Sequence, residues 1–150
     1  MSILQTATTS FKVELLQAVH NFGPTSANTF KIALYTAAAD LGVGTTVYTT
    51  SGEVSSSGTN YTAGGNVLVI STTPTSGNNS ANIPTAYISF STSTWNNVSF
   101  TCRGALIYNS TQGNKSVAVL DFGSDKTVSN DTFQITFPSA DAKSAIVRIS

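Results

Sequence analysis

The stretch Ala105-Leu106-Ile107-Tyr108-Asn109-Ser110-Thr111-Gln112-Gly113-Asn114-Lys115-Ser116-Val117-Ala118-Val119-Leu120 decides the fold class. Two short apolar runs flank Asn109 to Asn114, where every residue is polar or glycine. β-Branched side chains fit a pleated surface, and Asn, Ser and Gly favour the tight backbone of a turn, so the stretch reads as a β-hairpin. Ala105-Leu106-Ile107 and Val117-Ala118-Val119-Leu120 are apolar on both faces, the pattern of strands covered on both sides. The second cover has to come from a helix of this chain or from another subunit.

The same texture runs outward from the hairpin to Pro24: short β-branched and aromatic runs separated by Gly, Ser, Asn and Thr. The runs predict strands at Phe30 to Thr36, Thr46 to Thr50, Asn66 to Thr72, Thr85 to Ser91, Val98 to Cys102, Ala105 to Asn109, Ser116 to Phe122, Thr132 to Phe137 and Ser144 to Ile149. Phe30-Lys31-Ile32-Ala33-Leu34 and Phe133-Gln134-Ile135-Thr136-Phe137 alternate with period two, as half-buried strands do. The long Ser/Thr/Gly-rich connections Gly52 to Gly65 and Thr73 to Pro84 read as surface loops. The fold class is therefore all-β, a jelly-roll-like β-sandwich of eight or nine antiparallel strands with one N-terminal amphipathic helix. At 150 residues the chain is one domain, with an arm over 1–9, a helix over 10–22 and the sandwich over 30–150.

The helix follows from spacing. From a cap at Thr9 or Ser10, Phe11 to Phe22 follows the helical repeat, with Phe11, Leu15, Leu16, Ala18, Val19 and Phe22 on one arc and Glu14, Gln17 and Asn21 on the other. Gly23 and Pro24 supply the stop. A helix of about twelve residues is marginal in water on its own, so this one must bury its apolar arc. Phe11, Leu15, Val19 and Phe22 are accordingly the candidate assembly contacts, facing either the chain's own sandwich or a neighbour. The preceding residues read as an arm or as a strand awaiting a partner, and their removal is expected to leave the fold intact.

Composition bears on partners. Charged residues are 9% of the chain, against about a quarter in an ordinary domain, and seven Lys/Arg balance seven Asp/Glu. Such a chain has no net field with which to gather phosphate backbones or anionic lipid, so neither nucleic acid nor membrane is an expected partner. No apolar run approaches the roughly 20 residues of a spanning helix. The opening residues lack the pattern of a secretory signal.

The raw material for catalysis is thin: one His, one Cys and seven scattered carboxylates. His20 sits at the margin of the helical arc and reads as a structural or interfacial histidine before a base. Cys102, alone and in a strand, reads as a buried thiol. Zinc wants several Cys or His ligands, and Asp121, Asp125 and Asp131 lack the spacing of a calcium loop, so no metal and no cofactor is expected. Arg103, the lone basic residue between Lys31 and Lys115, is expected to pair with a carboxylate or loop carbonyls and fix its corner. Trp95, Tyr48, Tyr61 and Tyr87 form a sugar-stacking platform if they share a face, and core caps if they do not. No catalytic residue is assigned.

Several segments together resemble a family of small structural proteins encoded by tailed bacteriophages. They are Ser10 to Phe22, Phe30 to Thr36, Tyr61-Thr62-Ala63-Gly64-Gly65, Arg103-Gly104-Ala105-Leu106-Ile107-Tyr108-Asn109 and Ala118 to Lys126. The resemblance implies a virion component made in the host bacterial cytoplasm, without catalytic residues, whose partners are its own copies and phage capsid or tail proteins. A capsid cement or decoration protein is the first expectation and a neck, tail or fibre-attachment protein the second. A carbohydrate-binding module is the alternative from another class. Self-association, as a trimer matched to threefold capsid sites, is expected from the doubly apolar strands and the wide helical arc.

Overall fold

The hairpin read from the sequence is the spine of the molecule, and it is longer than its two apolar runs. In the computed structural model, which describes residues 1–150, the elements in chain order are β1 (Thr6–Ala7), α1 (Thr9–Leu16), β2 (Phe30–Tyr35), β3 (Asn66–Leu68), β4 (Ile70–Asn78), β5 (Pro84–Phe90), β6 (Ser93–Asn109), β7 (Lys115–Ile135) and β8 (Val147–Ile149). The expected strands Val98 to Cys102 and Ala105 to Asn109 are one strand, β6. Those at Ser116 to Phe122 and Thr132 to Phe137 belong largely to one strand, β7. Arg103-Gly104 looked like a break because glycine weakens strands. Here Gly104 answers a close approach: a Cβ at that position would lie 2.4 Å from the Leu120 carbonyl oxygen and 2.9 Å from Ile3.

Eight strands form two antiparallel sheets, one of five strands in the order β1-β7-β6-β2-β3 and one of three in the order β4-β5-β8. The all-β sandwich with one N-terminal helix is thus the observed architecture. The chain crosses between sheets at Val69, so the expected strand Asn66 to Thr72 is divided between β3 and β4. Thr73 to Pro84 is not a loop for most of its length, because β4 pairs with β5 from Ile70 opposite Phe90 to Asn78 opposite Pro84. Beyond Ile70, which packs against the core, main-chain pairing holds the exposed Ser/Thr-rich remainder of the strand. Conversely, Thr46 to Thr50 is not a strand and contributes only a bridge between Val47 and Lys115.

The main core lies between the sheets. Ile32, Leu34, Ala105, Ile107 and Val117 from the larger sheet meet Ile88, Phe90 and Val147 from the smaller. A second cluster on the opposite face of the larger sheet answers the question of cover. Leu106, Tyr108 and Val119 pack there under Ile3, Ala39 and Leu41, with Ala33 and Tyr35 beside them. The second face of the doubly apolar strands is covered by the N-terminal residues and the 37–50 connection. The opening strand finds its partner within the chain, with Thr6 opposite Val119, Ala7 opposite Ala118 and Ile3 bridged to Leu41. With Ile3 only 7% exposed, the expectation that residues 1–10 are dispensable for the fold gives way to a seated segment.

The helix is shorter than its arc. Thr8, not Thr9 or Ser10, is the N-cap: its hydroxyl accepts from the Phe11 N–H at 3.4 Å and bonds Ser116 at 2.9 Å. The helix ends at Leu16 because Ala18 takes a left-handed conformation (φ 58°), and the N–H groups of Ala18 and Val19 turn back to the carbonyls of Leu15 and Glu14. This is a Schellman stop with alanine where glycine is usual. Past it the chain returns Phe22 to the core, stacked on Phe30 with centroids 4.2 Å apart, while Phe11 meets Phe22 edge-on at 6.1 Å.

Candidate functional site

The four candidate assembly residues divide. Phe11 and Phe22 are 2% and 6% exposed within the chain's own core, whereas Leu15 and Val19 are half-buried. Leu15, Phe22, Ala86, Ile88, Val147 and Ile149 line an open groove of about 310 Å³ between the helix and the smaller sheet. The two phenylalanines hold the helix to its own sandwich and leave their faces closed to a neighbour. Val13 and Leu16 point outward instead, the latter 91% exposed.

Glu14, which the helical wheel placed on the outer face, is the centre of a buried polar chain. Lys115 donates to Glu14 Oε1 at 2.7 Å, and His20 donates from Nε2 to Glu14 Oε2 at 2.8 Å. On the other side of the ring, Asn109 Nδ2 donates to His20 Nδ1 at 3.0 Å and to Asn28 Oδ1 at 2.9 Å. The orientation of the Asn109 amide is set by its oxygen, which accepts the backbone N–H groups of Thr111 and Gln112 at 3.1 and 3.2 Å. Because a backbone N–H can only donate, Nδ2 faces His20, Nδ1 accepts and Nε2 carries the proton. Burial pulls the Glu14 carboxyl up, but hydrogen bonds from Lys115 and His20 and the positive charge of Lys115 outweigh it, and the carboxyl ends below its ordinary value. His20 has no lone pair left for a substrate and no exposed side-chain surface. It is a satisfied structural histidine.

Cys102 is fully buried, and burial, with Asp125 adding to it and Lys126 opposing, pushes its thiol up to about 12. Seven residues along β6 separate it from Asn109, the neighbour of His20, which is on the order of 20 Å in a strand. The single His and single Cys therefore do not meet. Arg103 does what its isolation implied, reaching Asp125 at 3.3 Å and Asp121 at 4.0 Å across the irregularity in the β6–β7 pairing. Asp121 and Asp125 thus answer to a guanidinium, while Asp131 lies farther along β7, opposite Val98.

A second carboxylate that sequence reasoning passed over, Glu53, organises the tyrosines. Its Oε1 accepts from Tyr61 Oη at 2.8 Å and the Gly64 N–H at 2.7 Å, and its Oε2 accepts from Tyr48 Oη at 2.6 Å. Tyr108 donates to the Gly64 carbonyl at 2.7 Å and stacks on Tyr48. Desolvation raises the phenols of Tyr35, Tyr48, Tyr61 and Tyr108 above their ordinary value, Tyr108 to about 12. The rings proposed for sugar stacking do not share a face. Tyr61 packs edge-on against Phe100, Trp95 against Phe133, Tyr48 on Tyr108, and Tyr87 lies in the smaller sheet. Nothing in local sequence marks Glu14, Asn109 or Glu53, since their side-chain partners lie 5 to 101 residues away at irregular spacings.

Exposed apolar side chains lie both near the helix and, as Val67, Val69, Ile83 and Ile149, on or beside β3, β4, β5 and β8. Leu4, Leu41, Val43 and Val47 line a shallow groove of about 490 Å³, and the Thr9 N–H of α1 donates to the Val43 carbonyl at 2.9 Å. Leu4, Val13, Leu16, Val43 and Val47 are 60%, 50%, 91%, 53% and 47% exposed. No helix is long and apolar enough to cross a membrane. Comparison with protein-family models, with curated proteins and with solved structures gives no match in any of the three.

Proposed function

We propose that this chain is a structural protein of a tailed-phage virion, acting by protein–protein contact as a capsid cement or decoration protein. One observation carries the reading. The side chains best suited to chemistry, His20, Cys102, Glu14 and Glu53, are each buried or bonded within the chain, whereas apolar side chains such as Leu4, Leu16, Val67 and Val69 are left free at the surface. A weakly charged, balanced surface favours dense packing of copies without electrostatic repulsion. The resemblance to small phage structural proteins supplies the particle. The chain is then made in the host cytoplasm and resides on the virion.

The test is the number of copies of this chain relative to the major capsid protein in purified particles of the encoding phage. A ratio near one, or near a simple fraction set by capsid symmetry, is expected. A handful of copies per particle moves the protein to the neck or tail, and its absence from particles refutes a virion role.

A further inference from the structure

We infer that the tip of the β6–β7 hairpin and residues 20–29 form a clasp that opens when His20 takes up a second proton. The clasp joins the segment between α1 and β2 to the hairpin turn. Ser110 N–H donates to the Thr29 carbonyl at 2.9 Å, and Thr29 N–H donates to Thr111 Oγ1 at 2.8 Å. Asn28 Oδ1 accepts from Asn21 N–H and from Asn109 Nδ2, each at 2.9 Å. The buried centre of this seam is the 3.0 Å bond from Asn109 Nδ2 to His20 Nδ1. Its polarity is fixed from outside the pair. Two backbone N–H groups hold Asn109 Oδ1, so turning the amide over would set donor against donor at Thr111 and Gln112. Asn109 can therefore offer His20 only a donor.

A proton on His20 Nδ1 turns the acceptor of that bond into a second donor, and two N–H groups then face each other at a fully buried Asn109. A buried donor without a partner is costly, so the contact parts. On the other side of the ring, Nε2 already donates to Glu14 Oε2 and keeps that bond when the second proton arrives. The charged groups facing this chain of bonds are Glu14 from α1 and Lys115 from β7, whereas Phe11 of α1, Phe30 of β2 and Asn109 of β6 are neutral. The Glu14 carboxyl, held below its ordinary value, stays charged across the range in which imidazoles titrate, and lysine ammonium groups titrate far above it. His20 is then the member whose charge changes there. The disruption falls on the clasp and not on the bond to α1, and what loosens is the segment that carries Phe22 onto Phe30.

Amide hydrogen exchange on the full chain, followed by nuclear magnetic resonance at about pH 7.5 and about pH 5.5, tests the clasp. After correction for the intrinsic pH dependence of exchange, protection of Thr29, Ser110, Thr111 and Gln112 should fall by roughly three- to tenfold on acidification, the effect of one lost hydrogen bond. The paired amides of β2 and β6 should hold theirs. The ring nitrogens of His20 should report a proton on Nε2 alone at the higher pH, and a second proton arriving with the same midpoint as the loss of protection. His20→Gln, whose carboxamide supplies an acceptor and a donor but takes up no proton in this range, should abolish the response. Asn109→Asp should reverse it: a carboxylate keeps its bonds to Thr111 and Gln112 and accepts from the imidazolium, so the clasp tightens at the lower pH. Should either variant fail to fold, the coincidence of midpoints in the wild-type chain decides. A proton on Nδ1 at the higher pH, unchanged protection in the wild type, a response that survives His20→Gln, or an Asn109→Asp chain that loosens as the wild type does overturns the inference.

Discussion

Replacing Phe11 by alanine isolates what the helix does for the fold. Phe11 is 2% exposed and lies against Phe22 and His20 at ring-centroid distances of 6.1 and 5.0 Å. Truncation removes the transfer energy of a buried ring and leaves a cavity bordered by rings locked in place by Phe30 and Phe90, so relaxation is limited. Such truncations cost about 3 to 5 kcal/mol, roughly a fifth or more of a typical domain's stability. For a chain of this length each kcal/mol is worth about 2 to 4 °C, so the melting temperature should fall by about 6 to 20 °C. Leu16→Ala is the matched control: it sits on the same short helix, is 91% exposed, and should move the midpoint by no more than about 2 °C. Both are measured by circular dichroism at low micromolar concentration, where association contributes least. If Phe11→Ala melts within 2 °C or so of wild type, or Leu16→Ala falls as far, the helix is not anchored by its inward ring.

Three further outcomes are expected. Glu14 has a carboxyl held below its ordinary value of 4.5, so its contribution is present above that pH and lost as pH falls through the folded value. Glu14→Gln should therefore melt lower than wild type at neutral pH, with the gap closing on acidification; a gap unchanged between neutral pH and pH 3, roughly, contradicts the network. Cys102, buried and raised to about 12, should resist iodoacetamide in the native protein near pH 8 and label fully in denaturant, and fast native labelling would place it at the surface. Deleting residues 1–5 uncovers Leu41, Leu106 and Val119 by removing Ile3, and should cost about 2 to 5 kcal/mol in urea unfolding; an unchanged midpoint would show the segment to be idle.

The hairpin and its turn were legible because each side announces itself locally, β-branched runs before and after, polar residues and glycine between. The double cover of those strands was legible as a need, yet its source was not. Ile3, Ala39 and Leu41 are scattered through non-periodic segments, and only the tertiary fold brings them over Leu106 and Val119. The helix was found but overrun. Spacing of Phe11, Leu15, Val19 and Phe22 fits a helical arc, but Ala18 ends it in a conformation that glycine would have signalled and alanine conceals. That same turn swings His20 back to Glu14, which is why an acid expected to face solvent is buried. Edge strand β4 was hidden for the opposite reason, since main-chain pairing leaves no trace in a run of Thr, Ser and Pro.

The link between Thr8 and Ser116 spans 108 positions of chain, and it bears on synthesis. Ribosomes add about 5 to 20 residues per second, so on the order of 5 to 20 s pass between the emergence of the Thr8 cap and of the strand that seats it. Throughout that interval Phe11, Phe22 and Phe30 are on a nascent chain without β7, on which the helix end is built. The domain cannot condense from its N-terminus as it is made; it closes when the last third of the chain arrives. Until then its aromatic rings are open to any apolar surface nearby, including those of other unfinished copies on the same message.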